Sequence, residues 1–463
     1  VYKRQGPSES YNDSGHASAE LSESNPMLAR LLREGRICAD RPAMVLPGGT
    51  TPWAELADLA GGLADRFSLL AGRRVGVAMR ATPTCLAALA ALDEVACDVF
   101  LLDGQQDAVA SGQLARDLNL DALVHWTGES VPADANIQIL EDQGHGRGGS
   151  TVTILTSGST GRPKAACYTW QGLARPVRRV PPGQGPRWLL AYRVHLYAGL
   201  QVVLQCLVNH GTLVTAAEHA EPDAIARVMR DGRVQYASAT PSYWRRLILL
   251  ADRQLLGQVP LEQITLGGEI VDESILAALK EVFPAARMVH IYATTELGRC
   301  FSVTDGRAGF PVRLLDSGTS DGVEIRLADG ELQVRSPNAM LHYDPSSSGS
   351  ETAVRRAAEG WVRTGDLVEV RGDRVHFVGR TSEIINVGGN KVHPQEVERA
   401  IRQVPGVVDA RVYGRSSSLA GQLVACEIVA RDGADPAQLR QAVSAHCSQA
   451  LGTYQQPRII DIS

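Results

Sequence analysis

The chain has 463 residues, too many for one ordinary hydrophobic core, so two or three packed units are expected. With 44% hydrophobic and 21% charged residues it reads as a globular protein. A net charge of −5 gives no electrostatic reason to expect nucleic acid or an anionic membrane as a partner.

Both ends read as cut. Val1-Tyr2-Lys3-Arg4-Gln5 looks like translated adapter sequence, and the residues up to about Asn25 are polar and expected to be disordered. Residues 26–102 alternate helical and strand signals. Leu56, Leu59, Leu63 and Phe67 recur at helical spacing over residues 53–67, and Val75-Gly76-Val77-Ala78-Met79 follows as a strand. Strand and helix in alternation predict an α/β unit, an open sheet with helices on its faces. The apolar run 85–92 is too short to cross a membrane and ends at Asp93 and Glu94. Residues 126–150 read as a Gly/Asp-rich connector, residues 188–214 and 234–248 as long apolar regions, and residues 345–352 as a serine-rich loop.

A boundary is expected near Gly379-Arg380. Beyond it, His393-Pro394 starts a helix with Glu396 and Glu398 in the first turn, facing the positive end of its dipole, and with Val397, Ile401 and Val404 on its buried face. Strands are predicted over residues 407–413 and 423–430, a helix over 436–451, and a final strand over 458–462 in which the chain stops. The expected division is a leader over residues 1–25, a large N-terminal domain over 26–379, and a small, incomplete α+β domain over 380–463. The eight cysteines show no close pairing, which points to reduced, mostly buried thiols and a cytoplasmic address rather than zinc or disulfides.

The most informative stretch is Thr156-Ser157-Gly158-Ser159-Thr160-Gly161-Arg162-Pro163-Lys164, which follows the β-branched run 151–155. Glycines let a backbone turn its N–H groups inward, and hydroxyls and a lysine add donors, so such a loop can wrap phosphate. A plain surface turn has the same composition, and the spacing of a Walker loop is absent. The order of residues resembles the phosphate loop of the adenylate-forming superfamily (acyl-CoA synthetases, carrier-protein-loading adenylation domains and luciferases) at all nine positions. The resemblance extends over residues 42–457 and implies a large α/β domain followed by a small mobile α+β domain.

Other segments carry the same resemblance. Tyr292-Ala293-Thr294-Thr295-Glu296 is similar to a Tyr-Gly-x-Thr-Glu motif, with Ala293 in place of glycine; it implies Tyr292 against adenine, Thr295 nearby, and Glu296 with Thr160 on Mg2+. Gly267-Gly268-Glu269 resembles a turn lying along the adenine. Thr364-Gly365-Asp366 resembles a motif whose aspartate accepts the ribose hydroxyls. Read alone it is a Gly-Asp turn, but the alternation of residues 368–370 and 375–378 puts a hairpin around Arg371-Gly372-Asp373 and leaves Asp366 free.

Arg380 is expected at ribose or phosphate, and Gly388-Gly389 beside a pantetheine thiol, although a tight turn explains two glycines equally well. Ser382 stands where relatives carry Asp or Lys at the hinge. His195 is the candidate for orienting the acid substrate, with a satisfied interior histidine as the alternative. His290 reads as structural, and Arg175, Arg178 and Arg179 as a solvated face.

Taken together, the resemblance implies a carboxylic-acid adenylating enzyme, an acyl- or aryl-CoA ligase using ATP, Mg2+ and coenzyme A. Lys164, Thr160, Glu296 and His195 are its candidate catalytic residues. Its expected partners are a small carboxylic acid and CoA or a carrier-protein pantetheine, without nucleic acid or membrane. Relatives carry, shortly after a strand like residues 457–462, a loop whose lysine bridges the carboxylate and the α-phosphate. The chain stops before it, which reads as truncation; a non-catalytic binding protein lacking that lysine is the alternative.

Overall fold

The computed structural model describes residues 26–127, 134–140, 150–156, 163–181, 183–347, 360–417, 421–431 and 433–463. The leader, most of the phosphate loop (Ser157, Gly158, Ser159, Thr160 and Gly161) and most of the serine-rich loop lie outside the described residues.

Two largely parallel sheets dominate the first part of the chain. In one, Arg287–Thr294, Gln263–Gly267, Tyr236–Ala239, Arg187–Leu190, Thr212–Thr215 and Pro42–Leu46 run parallel in that order, with Gly298–Val303 and Gly49–Pro52 antiparallel at its two edges. In the other, Thr151–Thr156, Asp98–Asp103, Arg74–Met79 and Ala122–Thr127 are parallel, and Lys164–Thr169 folds back antiparallel on Thr151–Thr156.

Helices Pro83–Glu94 and Tyr197–Val208 contribute to the core shared by the two sheets. Pro83–Glu94 is buried at every position but its last, so its sequence is apolar all round and carries no amphipathic stripe. It starts sharply because Pro83 takes the first turn and the Thr82 hydroxyl accepts the N–H of Cys85 at 3.3 Å. Trp53, fully buried at the start of helix Trp53–Phe67, anchors the same core and donates its indole N–H to Gly211 at 3.2 Å. Truncating such a side chain typically costs ~3–5 kcal/mol.

A third, antiparallel sheet orders Phe310–Pro311, Arg374–Arg380, Val362–Arg371, Glu331–Arg335 and Glu324–Ala328. After it the chain builds a smaller unit with its own core. Strands Val407–Ser417 and Gly421–Ala430 pair along their length, Ile459–Ile462 adds in parallel, and helices Pro394–Ile401 and Pro436–Ala450 cover them. The molecule is therefore mixed α/β, with a large N-terminal part and a smaller C-terminal one.

Several expectations change. Within the expected connector, Asp134–Ile139 forms a strand against Ala122–Thr127, with Ala135 buried. Leu59 is only half-buried, while Leu56, Leu63 and Phe67 are in the core. Glu398 does not serve the helix dipole: it sits past the first turn, accepts the N–H of Val412 at 2.9 Å and pairs with Arg402, tying the helix to its strand. Both long strands of the small unit run beyond their predicted ends, since ladder bonds extend to the pair Ser417 and Gly421. Eight free cysteines are present and all but Cys38 are buried.

Candidate active site

The chemistry-bearing residues gather at the C-terminal ends of parallel strands, where open α/β sheets present their loops to ligands. Thr156, Asp103, Gly267 and the Thr295-Glu296 turn all follow or end such strands. Glu296 lies in the turn between Arg287–Thr294 and Gly298–Val303. That turn is braced: the Thr294 hydroxyl accepts the N–H of Leu297 at 3.1 Å, and the Glu296 carbonyl accepts the N–H of Met340 at 3.0 Å. Gly298 has φ +66°, and a Cβ there would stand 2.4 Å from the carbonyl oxygen of Asn338, so only glycine fits.

The segment that braces the turn continues into strand His342–Tyr343, which pairs with Lys164–Thr169. It delivers Tyr343, whose hydroxyl donates to Glu296 Oε1 at 2.8 Å and whose ring lies 5.7 Å from Lys164 Nζ. Carboxylate, phenol and ammonium are thus assembled beside the paired residues Thr156 and Lys164. Burial first, and the neighbouring Glu296 second, raise the Tyr343 pKa, so the phenol stays a donor. The Tyr168 hydroxyl holds the Thr295 carbonyl at 2.5 Å.

A second cluster forms around Asp366, which is 5% exposed. It accepts the Tyr292 hydroxyl at 2.5 Å and Arg380 Nε at 2.7 Å. The hairpin turns at Gly372 and Asp373, as the alternation predicts, and Asp366 lies on its strand outside the turn with two side-chain partners. The Tyr292 ring stacks at 5.2 Å on Phe301, its cross-strand partner, and at 5.0 Å on Phe377. Burial and then the charge of Asp366 raise the Tyr292 pKa well above that of a free phenol, keeping it protonated.

Along the neighbouring strand ends, the Gly267 carbonyl accepts the Tyr192 hydroxyl at 3.1 Å. Gly268 follows with its Cα side facing Thr240, and Glu269 accepts both the N–H and the hydroxyl of Ser242, at 2.9 and 2.7 Å. His195, in the turn before helix Tyr197–Val208, has Nδ1 3.8 Å from Asp103, which also takes Arg193 at 2.8 Å. Burial lowers the His195 pKa and Asp103 opposes it. His195 thus pairs with Asp103 across the ends of two strands.

Gly388 and Gly389 have φ +56° and +88° and connect the paired strands Ile385–Val387 and Asn390–Val392. Two positive φ values in a two-residue hairpin loop demand glycine-like residues, which accounts for both. Ser382 is exposed in a short 3-10 turn beside Arg380. His290 binds the Arg307 carbonyl at 3.0 Å and Arg175, Arg178 and Arg179 are exposed, as the sequence suggests.

Sequence reasoning missed Tyr343, Asp103, Ser242 and Tyr168. Each meets its partner only through the fold, and a two-residue strand leaves no periodicity that would mark Tyr343. Among the described residues no cluster of three or more His, Cys, Asp or Glu could hold a metal ion. Glu296, with Oε2 unbonded by described residues, offers the single carboxylate that suits Mg2+ shared with substrate phosphates. Among the described residues no helix is long and apolar enough to cross a membrane.

Comparison with known proteins places the chain in a family. Residues 150–344 match the model of the AMP-binding enzymes and residues 396–462 that of the AMP-binding enzyme C-terminal domain, together more than half of the chain. The chain is 25% identical over 326 residues to a 2-succinylbenzoate–CoA ligase of Listeria monocytogenes, covering 67% of this chain and 65% of that one. It is 26% identical over 335 residues to an indoleacetate–CoA ligase of Aromatoleum aromaticum, covering 68% and 62%. The chain thus spans a little under two thirds of these relatives. A variant of MenE from E. coli with bound OSB-AMS has the same fold, at a TM-score of 0.73, 21% identity and 94% coverage of both chains. On these matches the chain belongs to the AMP-binding enzymes, the adenylate-forming superfamily, and is acyl-CoA ligase-like.

Proposed function

We propose that the protein activates a carboxylic acid with ATP and passes the acyl group to the thiol of coenzyme A. In the first half-reaction a carboxylate oxygen bonds to the α-phosphorus, the bond to the β-phosphate breaks, and pyrophosphate leaves. In the second, the thiol sulfur attacks the acyl carbon of the adenylate, its proton is lost, and AMP departs with the bonding electrons. Such steps need positioning and charge stabilisation more than covalent help from the protein.

Lys164 and the loop residues Thr156, Ser157, Gly158, Ser159, Thr160 and Gly161 would bind the phosphates. Glu296, with Thr160, would hold Mg2+, which neutralises phosphate charge when bound. Tyr292, Thr295 and the Gly267-Gly268-Glu269 turn are assigned to the adenine, Asp366 and Arg380 to the ribose, and His195 to the acid. Gly388 and Gly389 are assigned to the thiol step. The small unit, over residues 380–463, would exchange the face it presents between the half-reactions. Free coenzyme A is the preferred acceptor over a carrier-protein pantetheine, in line with the CoA ligases among the relatives. Seven buried free thiols suit a reducing compartment, and we assign the protein to the cytoplasm.

The observation that carries the reading is the convergence of Glu296, Tyr343 and Lys164. Glu296→Ala should lower acid-dependent ATP–pyrophosphate exchange by ~10²–10³-fold, the usual cost of losing one transition-state contact. Exchange within twofold of the parent would refute the metal assignment.

A further inference from the structure

Strand His342–Tyr343 is two residues long and lies at the edge of its sheet. So short a strand has few bonds with which to fix its own register, and a slip by one residue would turn each side chain to the opposite face. Tyr343 faces Lys164 and Glu296. The next residue, Asp344, points the other way and meets Arg74, which starts strand Arg74–Met79 elsewhere in the same sheet.

The contact is forked, with Nη1 to Oδ2 at 2.9 Å and Nη2 to Oδ1 at 3.1 Å, and the side chains are only 7% and 5% exposed. Arg74 is itself fixed from several directions. Its guanidinium lies 4.6 Å over the Phe100 ring and donates to the carbonyls of Leu118 at 2.9 Å and Asn119 at 3.1 Å, and to the Ser346 hydroxyl at 3.2 Å. Backbone bonds from Leu341 to Cys167 and from Asp344 to Ala165 flank Tyr343, and the Ser347 hydroxyl spans Ala165 and Asp344.

We propose that Tyr343 is a positioning residue that sets the spacing of Glu296 and Lys164, and that the Arg74–Asp344 pair pins the edge strand carrying it. A phenol that both bonds the carboxylate and underlies the ammonium fixes two opposite charges that would otherwise move independently. A buried fork at Asp344, the residue that follows the strand, removes the register freedom that would spoil this arrangement. The inference rests on the reading of Glu296 as the residue that would hold Mg2+.

The test is calorimetric titration with Mg·ATP and with ATP in chelator, on the parent, Tyr343→Phe and the double variant R74M/D344L. Thermal melting and amide hydrogen exchange of residues 338–347 are measured alongside. Tyr343→Phe should stay folded with a melting temperature lowered by no more than a lost bond to a carboxylate explains, bind metal-free ATP as the parent does, and need ~10–100-fold more Mg2+ for half-saturation, the scale of a lost bond to a charged group. The double variant exchanges a buried ion pair for apolar contact and should stay folded. It should exchange amides 341–344 faster and share the Mg2+ defect, with no further loss when Tyr343→Phe is added.

Mg2+ dependence of Tyr343→Phe within twofold of the parent would overturn the role of Tyr343. Parent-like exchange or Mg2+ affinity in the double variant would overturn the role of the pair. Failure of the parent itself to bind Mg·ATP would instead refute the nucleotide-site reading on which both depend.

Discussion

Asp366 offers the sharpest perturbation, because its carboxylate joins a buried phenol to a half-exposed guanidinium. The Tyr292 bond, at 2.5 Å to a charged acceptor, belongs to the class worth ~1.5–3 kcal/mol. The Arg380 side chain is 53% exposed, so solvent screening reduces its pairing to ~1 kcal/mol or less. Asp366→Ala should then cost about 2–4 kcal/mol and Tyr292→Phe about 1.5–3 kcal/mol. The double variant should lose less than the sum, with a coupling of about 1–2 kcal/mol. Urea unfolding followed by tryptophan fluorescence reads the right part of the molecule, since all six tryptophans precede residue 380. With a slope of ~3 kcal/mol per molar, the Asp366→Ala midpoint should fall by roughly 1 M. Calorimetry separates the roles. ATP affinity should fall by ~10-fold or more in Asp366→Ala, by loss of a bidentate acceptor, and much less in Tyr292→Phe. A coupling below ~0.5 kcal/mol, or equal ATP losses in the two variants, would refute the reasoning.

Two further predictions concern pH and the thiol step. His195, His290 and His376 all have pKa values lowered, chiefly by burial, so each contributes stability that is fully present above the free histidine value of about 6.5 and is lost as pH falls through the depressed folded value. His290→Gln should therefore lose less stability than the parent between pH 7.5 and 5.5 in urea titrations; parallel curves would contradict the assignment. Gly389→Ala forces a side chain into positive φ at a cost of ~1–2 kcal/mol, but meets no atom within 4 Å. It should leave pyrophosphate exchange within twofold while slowing acyl transfer to coenzyme A, as followed by thioester absorbance. An equal loss in both steps would remove the turn from the thiol step.

Much of this architecture was legible in the chain because local signals and tertiary context agree. His393-Pro394 announces a helix, residues 53–67 carry their stripe, and the Arg371-Gly372-Asp373 turn sits between alternating strands. The short strand Asp134–Ile139 escaped notice because much of its side-chain surface stays exposed, leaving a weak apolar pattern. The direct bond between Asp366 and Tyr292 was not legible, since the two lie 74 positions apart and only folding brings them together. The same holds for Arg74 and Asp344, 270 positions apart, which no periodicity could pair. Glu398 was misassigned because a carboxylate near a helix start suits the dipole, yet burial made its bond to the Val412 N–H the stronger claim.

Adenylation is tested most directly by ATP–pyrophosphate exchange against a panel of carboxylic acids. Exchange that depends on one class of acid, and that falls with Glu296→Ala, is the predicted result and would name the substrate class. Tight Mg·ATP binding without exchange for any acid would contradict adenylation and identify a nucleotide-binding protein on this fold.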